Sequence, residues 1–192
     1  GTELSGKRIG FIGFGRIAQG VGHVARALGM ELHAYDPYLP EKVATELNCE
    51  LHADVADVFR LCTHIAVHCN LTEETHHLVN THTLSLMPGV DADGIACGNH
   101  LVSCARGGIV NQDAALKALM DGTLSSCALD VFETEPETSH PILHHPNFHG
   151  TPHIGAATHE AQARIGFEMA NLLIEFFNGK TPKSVVNKTV LD

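Results

Sequence analysis

The feature that most constrains this chain is a glycine-rich turn between an apolar strand and an apolar helix near its start. The run Arg8–Gly13 is apolar enough to predict a buried strand. It leads into Gly13-Phe14-Gly15-Arg16-Ile17-Ala18, which has the Gly-x-Gly-x-x-Ala spacing of a dinucleotide-binding turn. Gly13 permits the tight turn, Gly15 leaves room for a pyrophosphate, and Ala18 lets the helix pack closely on the strand. The helix N-terminus then offers free N–H groups to the phosphates.

A carboxylate follows the second predicted strand, Glu31–Tyr35, at the distance that a dinucleotide site requires. Asp36 lies about twenty residues beyond the glycine turn. Its carboxylate would accept hydrogen bonds from a ribose diol and would repel a 2′-phosphate, by about 1 kcal/mol at 4 Å in water and about 4 kcal/mol at an effective dielectric of 20. The sequence therefore predicts NAD rather than NADP as the cofactor. A turn or capping role for Asp36 ahead of Pro37 is the alternative.

Strands and helices alternate along the rest of the chain. This rhythm predicts an α/β fold, a doubly wound and mostly parallel sheet of the Rossmann type. The predicted strands are Arg8–Gly13, Glu31–Tyr35, His64–Cys69, His100–Cys104, Ser126–Val131, Asn147–Gly150 and, more weakly, Glu50–His52. The predicted helices are Ile17–Leu28, Pro40–Asn48, Val55–Leu61, Thr81–Leu86, Asp113–Asp121 and His159–Phe177.

Charge and composition argue against several classes of partner. The chain has 12 Lys and Arg against 22 Asp and Glu, a net charge of −10, whereas nucleic acids and anionic membranes require a basic face. No apolar run approaches the roughly 18 residues of a membrane span, and the N-terminus lacks a signal-peptide pattern. The six cysteines include no Cys-x-x-Cys pair, so we expect reduced thiols and a cytoplasmic protein.

Histidine is frequent in this chain, and the segment 139–153 is especially rich in it. The prolines within this segment and the lack of a helical His pair indicate a loop followed by a short strand. The sequence therefore predicts no metal site, either at these histidines or at the cysteines.

Three chemically capable side chains come just after three predicted strands. They are Arg106, Glu135 and His153, and the carboxyl ends of parallel strands meet at one edge of a sheet, where ligands bind. Arg106 would clamp a substrate carboxylate with two hydrogen bonds. His153 would exchange a hydroxyl proton as a hydride moves. Glu135 against that histidine would favour the imidazolium.

With these residues the chain resembles the NAD-dependent D-2-hydroxyacid dehydrogenases over nearly all of its length. The resemblance is carried by Gly13-Phe14-Gly15-Arg16-Ile17, Tyr35-Asp36-Pro37, Cys104-Ala105-Arg106-Gly107-Gly108, the segment from Ala128 to Pro136 and Thr151-Pro152-His153-Ile154-Gly155. It implies hydride transfer between nicotinamide and C2 of a small 2-hydroxy or 2-keto acid. It also implies that Arg106 binds the substrate, that Glu135 rather than Glu133 pairs with the histidine, and that His153 is the acid and base.

The resemblance further implies the cofactor contacts and the oligomeric state. Besides Gly13 and Gly15, the contacts fall on Arg16, Ile17, Asp36, Cys69, Cys104, Ala105, Arg106, Asp130, His153, Gly155 and Ala156. The family usually dimerises through this domain, so we expect a homodimer. The segment 151–162 looks most like the D-3-phosphoglycerate dehydrogenase branch. The alternatives are a glyoxylate or hydroxypyruvate reductase and an NAD-sensing, corepressor-like binding module.

The chain departs from the family pattern in three places. The residues that build most of the family's substrate domain would precede this chain, so residues 1–180 are predicted to be the dinucleotide-binding domain and residues 181–192 a return segment towards the missing domain. The segment 90–99 is longer than the family's, which predicts a surface loop or, alternatively, a shifted strand register. Asn70 stands where the family usually has proline.

Overall fold

A computed structural model describes residues 1–187 of the chain. The chain divides into two compact units, Gly1–His153 and Ile154–Asp192, and each is described by itself. Within the second unit, residues 181–187 of the predicted return segment contain no helix or strand, and residues 188–192 lie outside the described part. The assignment of residues 1–180 to one dinucleotide-binding domain stays a prediction.

The first unit is built on one sheet. Its strands are β1 (Arg8–Ile12), β2 (Glu31–Tyr35), β3 (Cys49–Leu51), β4 (His64–Val67), β5 (His100–Ser103), β6 (Ser126–Leu129) and β7 (Phe148–Gly150). They lie in the order β3-β2-β1-β4-β5-β6-β7, and every neighbouring pair is parallel. The predicted doubly wound sheet is therefore confirmed. Its order reverses between β1 and β4, which is the place where such sheets bind ligands.

Helices connect the strands near their predicted positions. They are α1 (Arg16–Ala27), α2 (Glu41–Glu46), α3 (Val55–Leu61), α4 (Thr81–Ser85) and α5 (Gln112–Met120), with α6 (His159–Phe177) in the second unit. A short 3₁₀ helix, Pro141–His144, interrupts the histidine-rich segment that was predicted as a loop. Among the described residues, no helix has both the length and the apolar character that crossing a membrane requires.

Both faces of the sheet are packed, as a parallel sheet demands. On the α1 face, Phe11 and Phe14 are fully buried, with ring centroids 5.1 Å apart. On the α3 face, a Cβ at Gly10 would overlap Cγ1 of Val58, so only glycine allows this helix to approach β1 so closely. The two cores hold the glycine turn at the end of β1 against a rigid sheet.

The extra segment before β5 is a loop tied to the start of β1. Lys7 Nζ lies 2.7 Å from Asp91 Oδ2, and both side chains are less than a tenth exposed. The other oxygen of Asp91 accepts hydrogen bonds from the backbone N–H groups of Asp93 and Ile95. β5 pairs with β4 in continuous parallel register. The longer segment thus forms a loop, as predicted, and β5 pairs with β4 without a break in the ladder.

This buried ion pair predicts a loss of stability in Asp91→Asn, because Lys7 would keep a charge without its partner. We expect the unfolding temperature to fall by roughly 5–10 °C, with Asp93→Asn in the same loop as the matched control. The stability that this ion pair provides should also depend on pH. The hydrogen bond from Lys7 lowers the pKa of Asp91, and the same bond raises the pKa of Lys7. The contribution of Asp91 to the free energy of unfolding is therefore lost as pH falls through its lowered pKa, and that of Lys7 is lost as pH rises through its raised pKa. Equal unfolding temperatures for both variants near neutral pH would contradict the role assigned to the pair.

Candidate active site

The glycine turn has the backbone geometry that a phosphate site needs. Gly13 has a φ of +84°, and a Cβ there would lie 2.7 Å from the backbone nitrogen of Cys69, so only glycine fits. A Cβ on Gly15 would meet no described protein atom within 4 Å, which leaves that space open to a ligand. Gly15 is also the N-cap of α1, and none of the side chains that the structure describes caps this helix. The N–H groups of its first turn therefore remain available to an anion.

Asp36 stabilises the glycine turn by hydrogen bonds and can still accept further hydrogen bonds from a ligand. Its Oδ2 accepts the Phe14 N–H at 2.8 Å, and its Oδ1 accepts the Tyr38 N–H at 3.0 Å. Each carboxylate oxygen has a further lone pair for a ribose hydroxyl. The turn-stabilising role considered for Asp36 is therefore present and compatible with cofactor binding.

A cavity of about 320 Å³ opens beside Asp36. It is lined in part by Gly13, Gly15, Asp36, Cys69 and Asn70. Burial raises the pKa of the Cys69 thiol to about 11, so this thiol is uncharged near neutral pH. The carbonyl of Asn70 accepts a 2.6 Å hydrogen bond from Thr75 Oγ1, which closes the loop without the proline expected there.

His153 and Glu135 are in direct contact. His153 Nδ1 lies 2.7 Å from Glu135 Oε2, and Glu135 Oε1 accepts the Phe132 N–H at 3.0 Å. The hydrogen bond from His153, followed by that from Phe132, lowers the pKa of Glu135, so the glutamate is a carboxylate near neutral pH. With Nδ1 engaged by Glu135, Nε2 of the half-exposed ring is the nitrogen that can exchange a proton with a substrate.

A second set of contacts, which the sequence did not indicate, holds the loop that carries Glu135. Glu133 Oε1 lies 2.9 Å from His77 Nε2, and the Glu133 N–H donates to Gln112 Oε1 at 2.7 Å. His77 Nδ1 lies 3.2 Å from Asn111 Nδ2. The partners are distant in sequence and share no local pattern, so only the folded chain reveals them. They make Glu133 a positioning residue for the loop, whereas Glu135 reaches the histidine.

The backbone next to Arg106 packs against this loop, whereas the Arg106 guanidinium does not contact Glu135. Its Nη1 donates to the carbonyl of Ala105 at 2.7 Å. Within the described chain, it forms no ion pair with Glu135. The next residue, Gly107, lies so close to the Phe132 carbonyl that a Cβ would overlap it. Of the three side chains predicted to carry the chemistry, Glu135 and His153 are therefore in contact, whereas Arg106 lies on a neighbouring loop that packs against the loop of Glu135.

The other predicted cofactor residues are distributed over both units. Asp130 is buried at the end of β6, where its Oδ1 accepts a 2.6 Å hydrogen bond from Thr151 Oγ1. Arg16 and Ile17 are exposed in the first turn of α1, and Cys104 is exposed after β5. Ala105, Gly155 and Ala156 complete the set; Ala105 is buried, whereas Gly155 and Ala156 lie in the turn before α6, in the second unit. Their contacts with a cofactor stay predictions.

The close approach at Gly107 predicts that Gly107→Ala disrupts this site. The added methyl group must displace the Phe132 carbonyl and with it the loop that holds Glu135. We expect a loss of about 2–4 kcal/mol in the free energy of unfolding. Gly20→Ala is the matched control, because Gly20 lies within α1 with open space around it, and alanine there should be neutral or stabilising by up to about 1 kcal/mol. Chemical denaturation of both variants measures the difference, and equal stabilities would contradict the packing argument.

Known proteins are similar to this chain in sequence and in fold. Residues 1–155 match the family model described as D-isomer specific 2-hydroxyacid dehydrogenase, NAD binding domain. The chain is 39% identical over 187 residues to D-3-phosphoglycerate dehydrogenase of Methanocaldococcus jannaschii, covering 97% of this chain and 34% of that protein. It is also 39% identical over 178 residues to hydroxypyruvate reductase of Thermotoga maritima, covering 91% of this chain and 54% of that protein.

A solved structure agrees with this similarity. The holo form of D-mandelate dehydrogenase from Rhodotorula graminis superposes with a TM-score of 0.85 at 27% identity, covering 96% of this chain and 53% of that one. The chain therefore spans about a third to about half of the length of these relatives.

Proposed function

This chain belongs to the D-isomer-specific 2-hydroxyacid dehydrogenases, as their NAD-binding domain, and we propose that it works within a longer enzyme that oxidises or reduces a 2-hydroxy or 2-keto acid. The observation that carries the proposal is the His153–Glu135 contact, which lies in the same unit as the glycine turn and Asp36. A proton-exchanging histidine together with a dinucleotide site is what such a reaction requires.

The residues of this chain would divide the chemistry among them. Bound NAD supplies the nicotinamide carbon that accepts or returns the hydride at C2 of the substrate. His153 Nε2 takes the proton of the C2 hydroxyl when the acid is oxidised and returns it when the keto acid is reduced. Glu135 holds Nδ1 and thereby fixes the orientation of the ring, with Nε2 directed to the substrate. Arg106, once released from the carbonyl of Ala105, would clamp the substrate carboxylate.

Among 2-hydroxy acids we propose 3-phosphoglycerate as the substrate, because a D-3-phosphoglycerate dehydrogenase is among the most similar relatives. Reduction of glyoxylate or hydroxypyruvate is the second candidate, supported by the equally similar hydroxypyruvate reductase. The test is NADH oxidation by the full-length enzyme with the 2-keto form of 3-phosphoglycerate, hydroxypyruvate and glyoxylate in parallel. The keto acid with the highest kcat/KM identifies the substrate. Binding of NADH without turnover of any of them would favour a binding module instead.

The carboxylate clamp predicts a substrate-specific defect in Arg106→Lys. A lysine supplies a point charge in place of two parallel hydrogen bonds, so we expect the KM for the keto acid to rise by about 10–100-fold. The KM for NADH should change much less. Arg60→Lys is the matched control, because Arg60 is an exposed arginine of α3 that pairs with Asp57. An unchanged KM for the keto acid in steady-state kinetics of Arg106→Lys would exclude the clamp.

We also propose a homodimer and a reducing, cytoplasmic setting. The setting is supported by the cysteines: Cys49 and Cys127 are buried, and burial raises the pKa of each thiol to about 12. Such thiols are poorly reactive and behave as small apolar side chains. The dimer is supported by family resemblance. Light scattering on the purified enzyme tests it, and a monomeric mass at micromolar concentration would exclude it.

A further inference from the structure

Three potential metal ligands converge at the edge of the sheet formed by β2 and β3. His33 on β2 is in parallel register with Glu50 on β3, so their side chains share one face. His52 comes two residues after Glu50 and is therefore on that face as well, and its N–H donates to the carbonyl of Ala34 at 2.8 Å. The three side chains are consequently held together by backbone pairing.

The donor atoms of these residues have the separations of a coordination site. His33 Nδ1 lies 3.0 Å from His52 Nε2 and 3.5 Å from Glu50 Oε2, and His52 Nε2 lies 3.9 Å from Glu50 Oε1. Ligand atoms about 2.0–2.1 Å from a tetrahedral zinc ion are about 3.3 Å apart. Shifts of a few tenths of an ångström would therefore place one ion among all three residues.

The chemistry of the set also matches a divalent ion. His33 is almost fully buried, and a neutral imidazole nitrogen is a common ligand of divalent metals. If His33 and His52 only shared a hydrogen bond with each other, no carboxylate would be needed beside them. Glu50 nevertheless places one oxygen near each ring. Two imidazoles and one carboxylate suit zinc and similar borderline metals and are too nitrogen-rich for magnesium or calcium.

Space for a fourth ligand lies next to the set. A cavity of about 570 Å³ is lined by His33 and Glu50 and also by Arg8 and Glu31. Two arginines line the cavity. Arg8 pairs with Glu31, 2.9 Å away, and Arg26 Nη1 donates to the Leu47 carbonyl at 3.0 Å. A water molecule from this cavity could occupy the remaining coordination position.

We propose that His33, Glu50 and His52 form a site for a zinc-like divalent ion that fastens the edge strand β3 to β2. The proposal departs from the sequence-based prediction of no metal. That prediction considered only ligands close in sequence, whereas here strand pairing joins residues from two strands. The site is separate from the glycine turn and from the His153–Glu135 contact, and it does not depend on the proposed activity.

The test compares zinc binding by the chelator-treated chain, its His52→Gln variant and the control His149→Gln. His149 is exposed on β7, at the opposite edge of the sheet. We expect the parent chain and His149→Gln to bind one Zn²⁺ per chain in competition with a chromophoric chelator and to unfold at a higher temperature with it. His52→Gln should lose at least tenfold in affinity and the thermal shift. Added Mg²⁺ should have no effect.

A second variant and a second readout keep this test decisive. Glu50→Gln changes a side chain that is two-thirds exposed, so it should fold even if His52→Gln does not, and it should weaken zinc binding in the same way. Co²⁺ should give the visible absorption of a tetrahedral site in the parent chain and not in the variants. Zinc affinities that are equal in the parent chain and Glu50→Gln would overturn the proposal, as would the absence of stoichiometric binding. NADH binding in the same samples should be unchanged, which separates this outcome from any failure of the proposed function.

Discussion

His153→Ala in the full-length enzyme should lower kcat by about 10²–10⁴-fold, the usual contribution of a general acid or base. Because Nδ1 is held by Glu135, Nε2 is the ring nitrogen that we expect to exchange the substrate proton. The alanine variant would retain the glycine turn and Asp36, so it should still bind NADH, and its Kd for NADH should change far less than kcat. Steady-state kinetics and fluorescence titration measure the two quantities separately.

Two further variants sharpen this prediction. His149→Ala removes an exposed histidine of β7 and should leave kcat nearly unchanged. Glu135→Gln acts through the same imidazole, so adding it to His153→Ala should cost little beyond the single change. Near-normal turnover by His153→Ala would remove His153 from the reaction, and a large additional loss in the double variant would give Glu135 a role of its own.

Asp36→Asn should reduce the preference for NADH over NADPH by about fivefold to several hundredfold, the range set by a charge repulsion of about 1–4 kcal/mol. The change removes the charge that would repel a 2′-phosphate and keeps one acceptor oxygen for the turn. Because Asp36 binds the N–H groups of both Phe14 and Tyr38, some loss of NADH affinity is also expected. The ratio of the two dissociation constants is therefore the quantity to measure.

Asp57→Asn is the matched control for the cofactor preference. It removes one carboxylate from the exposed surface of α3, where Asp57 pairs with Arg60, and should leave the ratio unchanged. An unaltered ratio in Asp36→Asn would show that another residue selects the cofactor. An equal change in both variants would assign the effect to net charge.

The sequence predicted those parts of the fold that depend on local patterns. The strand, glycine turn and helix around Gly13 follow from hydrophobic periodicity and from the conformational freedom of glycine. Asp36 follows from its position at a strand end. The pairing of His153 with Glu135 came from resemblance, because periodicity places both residues at one sheet edge without selecting Glu135 over Glu133.

The remaining features depend on contacts between distant segments. Lys7 and Asp91 are 84 positions apart, and no local pattern associates a lysine before β1 with a loop before β5. The His77–Glu133 contact likewise requires the packing of two loops. The orientation of the Arg106 guanidinium depends on the carbonyl of the preceding residue. Tertiary packing determines side-chain partners of this kind, and the periodicity of a single sequence does not predict them.

The most direct test of the central claim is a titration of this purified chain with NADH and NADPH, followed by nicotinamide fluorescence. The glycine turn and Asp36 lie within the same compact unit, so the account predicts saturable binding of NADH and much weaker binding of NADPH. Equal affinities would contradict the role of Asp36. The absence of NADH binding would contradict the assignment of a working dinucleotide site to this chain.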